Sequence, residues 1–174
     1  MLGKVIQDKV QVFYLNSNDE IYHEYQSILW INYVYSALES RYNIFREYGI
    51  RSVREYNEQN REEEMPYIVI IFDEYTILQD SPLMKTILNL VQKGPRVGIH
   101  IIMSTSHPSV NVISNKIKIL FPTRIAFKTR TRVDSRTILD MSGAEELNAF
   151  YGMLLLRDAE LYKREAIFSG NIVI

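Results

Sequence analysis

The feature that most constrains the fold is Tyr67-Ile68-Val69-Ile70-Ile71-Phe72, a run without a polar break that is followed at once by Asp73 and Glu74. A strand with one wet face alternates apolar and polar residues. An unbroken run reads instead as a strand buried on both faces, as in a parallel sheet covered by helices. The flanks agree with this. An acidic loop (Glu55, Glu58, Glu62, Glu63, Glu64) precedes the run. Ser81-Pro82 supplies an N-cap and first-turn proline after it, and Lys93-Gly94-Pro95 ends that helix. Further buried strands are expected over Ile99 to Met103, over Arg124 to Phe127 behind Pro122, and over Met153 to Leu156.

Upstream, Val10 to Leu15 is a short apolar run stopped by Asn16-Ser17-Asn18-Asp19, a strand and its turn. From Ile21 to Tyr48 the residues Ile28, Ile31, Tyr35, Leu38, Tyr42 and Phe45 recur at helical spacing, and Gly49 stands where a left-handed cap is wanted. Asp134 and Gly143 are expected to open two short helices, Ser135 to Met141 and Ala144 to Phe150. Strands alternating with helices, with neither linker nor repeat, give one α/β layered domain over 1–174 with a mostly parallel sheet.

Composition then narrows the function. The longest apolar run, Met65 to Phe72, is far short of the ~20 residues that cross a bilayer, and no charged-then-apolar leader opens the chain, so neither spanning nor secretion is expected. Zero cysteines remove disulfide scaffolds, thiolate zinc sites and cysteine nucleophiles. His23 and His107 have no partner at metal spacing, and His100, inside an apolar run, reads as a hydrogen-bonded core histidine. No HExxH or GxSxG pattern occurs, so classical metallohydrolase and serine-hydrolase readings drop out. A net charge of −1 argues against a generic polybasic binder, yet the bases are sorted. Lys116, Lys118, Arg124, Lys128, Arg130, Arg132 and Arg136 stand against the single acid Asp134, a local charge of +6 that also fits a plain solvated face.

Ligands of parallel α/β sheets bind beyond the carboxyl ends of the strands, which is where Asp73 and Glu74 sit. In P-loop ATPases the first such acid orients Mg²⁺, usually through its waters, and the second can polarise the attacking water. Taken alone the pair is common at the ends of buried strands. Ser104-Thr105-Ser106, at the end of the next buried strand, suits a γ-phosphate sensor and equally a turn. The glycine loop that cradles phosphate is missing: no two of the seven glycines are five residues apart, and Gly3-Lys4 is followed by Val5.

Over about Val10 to Ile167 the sequence resembles the motor domain of the FtsK/SpoIIIE family of bacterial DNA translocases. The blocks that carry this are Leu38-Glu39-Ser40-Arg41-Tyr42, Tyr48-Gly49-Ile50-Arg51, Met65 through Glu74, Gly98-Ile99-His100, Pro108-Ser109-Val110, Pro122 through Phe127, and Asp134 through Asp140. The resemblance implies a RecA-like P-loop NTPase core, here a partial motor domain over 1–174 with neither the Walker A unit nor the downstream winged helix. It implies a cytoplasmic, ATP- and Mg²⁺-dependent translocase of the chromosome-segregation and cell-division type, assembled as a homo-hexamer around double-stranded DNA, with any membrane tether in segments outside this chain.

Residue by residue, Asp73 and Glu74 match the Walker B pair, with Asp73 toward the metal, and Thr105 matches the sensor threonine. Ser106 and His107 stand where the family has Gln and Arg, positions of γ-phosphate sensing and DNA contact. Lys118 and Arg136 match DNA-facing positions, Arg132 replaces a lysine that reaches the neighbouring subunit's nucleotide, and Arg96 lies one residue from the family's trans-acting arginine. The other readings are an inactive remnant or accessory that binds DNA or joins a motor ring, and a conjugation or secretion coupling ATPase. An in-frame GxxxxGK[ST] upstream of Met1 would favour the enzyme.

Overall fold

The run that opens the sequence argument forms an interior strand of a four-stranded sheet. The computed structural model describes residues 3–7, 9–16, 20–60, 62–78, 80–148, 152–157 and 160–165. They fall into two compact units, Met1–Thr105 and Ser106–Ile174. In the first, β1 (Gly3–Gln7), β2 (Val10–Asn16), β3 (Tyr67–Asp73) and β4 (Ile99–Met103) lie in the order β1-β2-β3-β4. β2, β3 and β4 run parallel, and β1, which the sequence reading did not foresee, is antiparallel to β2.

Three helices accompany this sheet: α1 (Glu20–Tyr48), α2 (Val53–Gln59) and α3 (Leu83–Lys93). The buried stripe of α1 is Ser27, Ile31, Val34, Leu38, Arg41 and Phe45, steps of four and three that keep one face inward. α1 packs against α3, whose Ile87 and Leu90 are buried, and both helices contact the sheet. Ile68, Ile70 and Phe72 of β3 are buried, whereas Tyr67, Val69 and Ile71 are only half-buried. The run is therefore fully covered on one face and half covered on the other. β4 departs further from the expectation: Ile99 is buried, but His100 and Ile102 are exposed. His100 is thus no core histidine. Its ring stacks on Tyr67 at 6.0 Å, and partial burial pulls its pKa down.

α2 occupies part of what reads as an acidic loop. Ser52 caps it by accepting from the Glu55 amide at 3.2 Å, Glu55 accepts from the Arg51 amide at 2.7 Å, and Arg54 and Glu58 pair at 2.9 Å. The charges there serve a helix with reciprocal end bonds. Gly49 closes α1 at φ +68° as expected. Gly98, at φ +74°, turns the chain into β4 where an added Cβ would lie 2.9 Å from Val53 Cγ1. Buried Arg41 donates to the carbonyls of Val97 and Pro66, each at 2.7 Å, and so fastens α1 to the entrances of β4 and β3.

The second unit holds α4 (Asn115–Leu120), β5 (Arg124–Phe127), α5 (Arg132–Leu139), β6 (Gly152–Arg157) and β7 (Glu160–Glu165). Strands β5, β6 and β7 form a separate antiparallel sheet, so the two later strands of the sequence reading do not extend the parallel one. α5 begins at Arg132 because Thr131 is its N-cap and Asp134 closes a capping box from the third helical position. Ala144–Glu146 is a single 3-10 turn, and Phe150, the expected end of a helix there, lies outside the described residues. Ala126, Leu139, Ala144 and Leu147 form the core. Buried Ser135 links α5 to that turn, donating to Met141 O at 2.8 Å and accepting from the Ala144 amide at 3.1 Å. Among the described residues no helix is long and apolar enough to cross a membrane.

Candidate functional site

Parallel register carries β3 and β4 to the same edge of the sheet, with Phe72 opposite Met103. The residues that follow therefore meet there: Asp73 and Glu74 from one strand, Ser104 and Thr105 from the other. The ladder continues past the strands through Ser104 N to Phe72 O (2.9 Å) and Tyr75 N to Ser104 O (3.0 Å). Ser104 Oγ donates to Asp73 Oδ1 at 2.8 Å and accepts from the Glu74 amide at 3.2 Å. Asp73 Oδ2 accepts from the Tyr14 hydroxyl at 2.7 Å.

Glu74 has φ +57°, a left-handed conformation that non-glycine residues seldom adopt. Its Oε1 accepts from Thr76 Oγ1 and Thr105 Oγ1, both at 2.7 Å. Behind it Tyr75 is buried, and burial together with the Glu74 charge pushes its hydroxyl up to about 12. That phenol stays neutral near pH 7. The arrangement gives two neighbouring carboxylates, each held by its own pair of hydroxyl donors.

Asp73, Glu74 and Thr105 thus lie together at one edge of this sheet. Ser106 opens the second unit, where its hydroxyl lies 2.9 Å from His107 Nδ1 on an exposed stretch. Arg96 is exposed and donates through Nε to Arg51 O at 2.8 Å. Arg132 is exposed and pairs with Glu145 at 3.2 Å, while Arg136 stands exposed in the last turn of α5. The Gly143 amide, first, and then Arg132 hold Glu145 below the usual carboxylate range. Lys118 is largely covered and donates to Asp140 Oδ1 at 2.7 Å, and Arg124 donates to Asp140 Oδ2 at 2.8 Å.

Tyr14 and Thr76 are site residues that the sequence reading does not single out, and Ser104, read there only as part of a hydroxyl run, is the one that bonds Asp73. The signal for Tyr14 is register: Asn16 pairs with Asp73, so Tyr14, two residues back, lies on the same face and reaches diagonally along it. As to a metal, no cluster of three or more His, Cys, Asp or Glu occurs among the described residues. Asp73, a single carboxylate among hydroxyl groups, fits an Mg²⁺ ion that keeps several waters and takes its remaining ligands from phosphate.

A helix-covered parallel sheet with an acid pair and a Ser-Thr pair at adjacent strand ends has the layout of a RecA-like α/β core. Solved structures share it: the conjugation coupling protein TcpA of pCW3, a monomer form with ATPgS, superposes with a TM-score of 0.79 at 19% identity over 92% of this chain and 52% of its own. The cytoplasmic domain of the Thermomonospora curvata type VII secretion ATPase EccC gives 0.71 at 21% identity, over 86% of this chain and 19% of its own. No family model matches.

Curated relatives are nearer in sequence. DNA translocase FtsK of Chlorobaculum tepidum is 40% identical over 137 residues, 77% of this chain and 17% of its own length. From Bacillus subtilis, SpoIIIE is 42% identical over 135 residues (71% and 17%) and SftA 38% over 150 residues (82% and 16%). The chain belongs to the FtsK/SpoIIIE family of DNA translocases. It spans about a sixth of the length of these relatives.

Proposed function

We propose that this chain is the Walker B, sensor and DNA-facing portion of an ATP-driven double-stranded DNA translocase motor. The observation that carries the reading is the cluster of Asp73 and Glu74 with Ser104 and Thr105 at the carboxyl ends of parallel strands. Asp73, fixed through both oxygens by Tyr14 and Ser104, is the residue that would hold the metal. Bound Mg²⁺ would screen the β- and γ-phosphate charge. Glu74 accepts a proton from, or orients, the attacking water, and the Thr105 hydroxyl on its Oε1 ties that acid to the end of β4. Lys118, Arg136 and His107 face DNA, Arg132 and Arg96 act on a neighbouring subunit's nucleotide, and Ser106 belongs to the sensor end. The ring is a homo-hexamer. The phosphate cradle is supplied by a Walker A segment that this sequence does not contain.

The test is a segment exchange: the matching 137 residues of the C. tepidum FtsK are replaced by those of this chain. DNA-stimulated ATP hydrolysis by the chimaera, lost in Asp73→Asn and in Glu74→Gln, is the expected result. A folded chimaera without hydrolysis, in which those substitutions change nothing, overturns the reading in favour of an inactive remnant.

A further inference from the structure

Asp140 sits between two cations in a way that plain scaffolding does not require. Its carboxylate takes Lys118 Nζ on one oxygen and Arg124 Nη2 on the other. Arg124 is anchored, its side chain only 14% exposed, and its Nε and Nη1 are buried without a hydrogen-bond acceptor. One carboxylate therefore serves two cations whose donors exceed what it can accept. Lys118 holds on by its ammonium from the last turn of α4, and Asp140 itself is 55% exposed, so the pair is open to solvent on the acid's side. Hydrogen bonding from Lys118 and the charge of Arg124 keep the acid ionised.

We propose that Asp140 is an internal stand-in for a DNA phosphate: it holds Lys118 in free protein and gives it up to the backbone of bound duplex, while Arg124 keeps the carboxylate in place. The inference rests on the reading of Lys118 as a DNA-facing residue. An acid shared by two cations releases one at low cost, because the other still partners its charge, and the bond that breaks is a partly solvated ion pair of small net value. A charge-assisted contact to phosphate replaces it. Salt dependence follows. Salt weakens the Lys118–Asp140 pair that must break as well as the phosphate contact that forms, and the two effects partly offset. Wild-type binding is then less salt-dependent than its contact count implies.

Asp140→Asn removes the charge and suits the backbone, because Asp140 has φ +63° and asparagine accepts that conformation. Asp140→Gly, equally at ease there, serves if the first variant folds poorly. Binding of a labelled random-sequence duplex is followed by anisotropy across a salt series for wild type, Asp140→Asn, Lys118→Gln, the double variant, and Glu146→Gln as a charge-matched control at an exposed acid. The expected result is roughly fivefold tighter binding by Asp140→Asn at low salt, with a steeper log–log slope because no internal pair is left for salt to weaken. Both gains vanish in the Lys118→Gln background and are absent in Glu146→Gln. A gain that survives without Lys118, one matched by Glu146→Gln, or weaker binding by Asp140→Asn overturns the inference and leaves DNA binding standing. Failure of every variant to bind duplex overturns both.

Discussion

Ser104 and Asp73 are joined by a 2.8 Å hydrogen bond that closes the gap between the ends of β3 and β4. The same serine oxygen accepts from the Glu74 amide, so the position of the first acid and the left-handed turn at the second depend on one hydroxyl. Tyr14 holds the other oxygen of Asp73. Ser104→Ala and Tyr14→Phe each delete a donor while keeping nearly the same shape, and each should cost about 1 kcal/mol in urea unfolding. Because both act on Asp73, their effects should not add: a double-mutant cycle should return a coupling of about 0.5 kcal/mol or more. Strict additivity would show that the two hydroxyls do not share the carboxylate.

Arg41 is the most exacting polar residue in the first core. It is 7% exposed and bonds two backbone carbonyls that begin neighbouring strands, with burial pulling its guanidinium below the ordinary arginine value. Arg41→Met leaves the carbonyls of Val97 and Pro66 without that donor and should destabilise by about 2–4 kcal/mol. Arg41→Lys should recover little, since an ammonium lacks the planar fork that spans both acceptors. Chemical denaturation of the three proteins decides it, and full rescue by lysine would count against the geometry.

What the residues made legible was local and periodic. The long helix, its Gly49 cap and the strands at Val10, Tyr67 and Ile99 follow from spacing that neighbouring residues set. What escaped depends on pairing across the chain. Arg124 to Phe127 looks like any buried strand, and nothing within it says that its partner is β6 and antiparallel. His100 was hidden by its apolar neighbours, because the face it occupies is set by how far helices cover β4. The acid pair was readable from its place after β3. Tyr14, fifty-nine residues from Asp73, becomes visible only with strand register.

The pH dependence of the Asp140 cluster has a defined sign. Its folded-state carboxyl lies below the ordinary value, chiefly through the Lys118 hydrogen bond. The stabilisation it gives is therefore complete above the unfolded value of about 4 and is lost as pH falls through the lower folded value. Asp140 is more than half exposed, so solvent keeps the effect small and salt reduces it. The difference in urea midpoint between wild type and Asp140→Asn should be positive near neutrality and shrink toward zero in acid. A difference that grows on acidification would contradict the ion-pair account.

The last expectation concerns the free side of β4. Among the described residues β4 pairs only with β3, leaving its other edge without a ladder partner. Ile102 on this strand is 39% exposed, beside exposed His100. An apolar edge strand with unpaired N–H and C=O groups is a template for another chain. Purified protein should self-associate as its concentration rises, seen as an increasing mass in size-exclusion chromatography with light scattering. Ile102→Lys places a charge on the exposed face without touching the buried Ile99, and it should lower the association while leaving the melting temperature nearly unchanged. A monomer at every concentration would mean that this edge is covered in solution. Association that persists unchanged in Ile102→Lys would place the contact elsewhere, with Val110, Ile119 and Val133 of the second unit as the next exposed apolar residues to substitute.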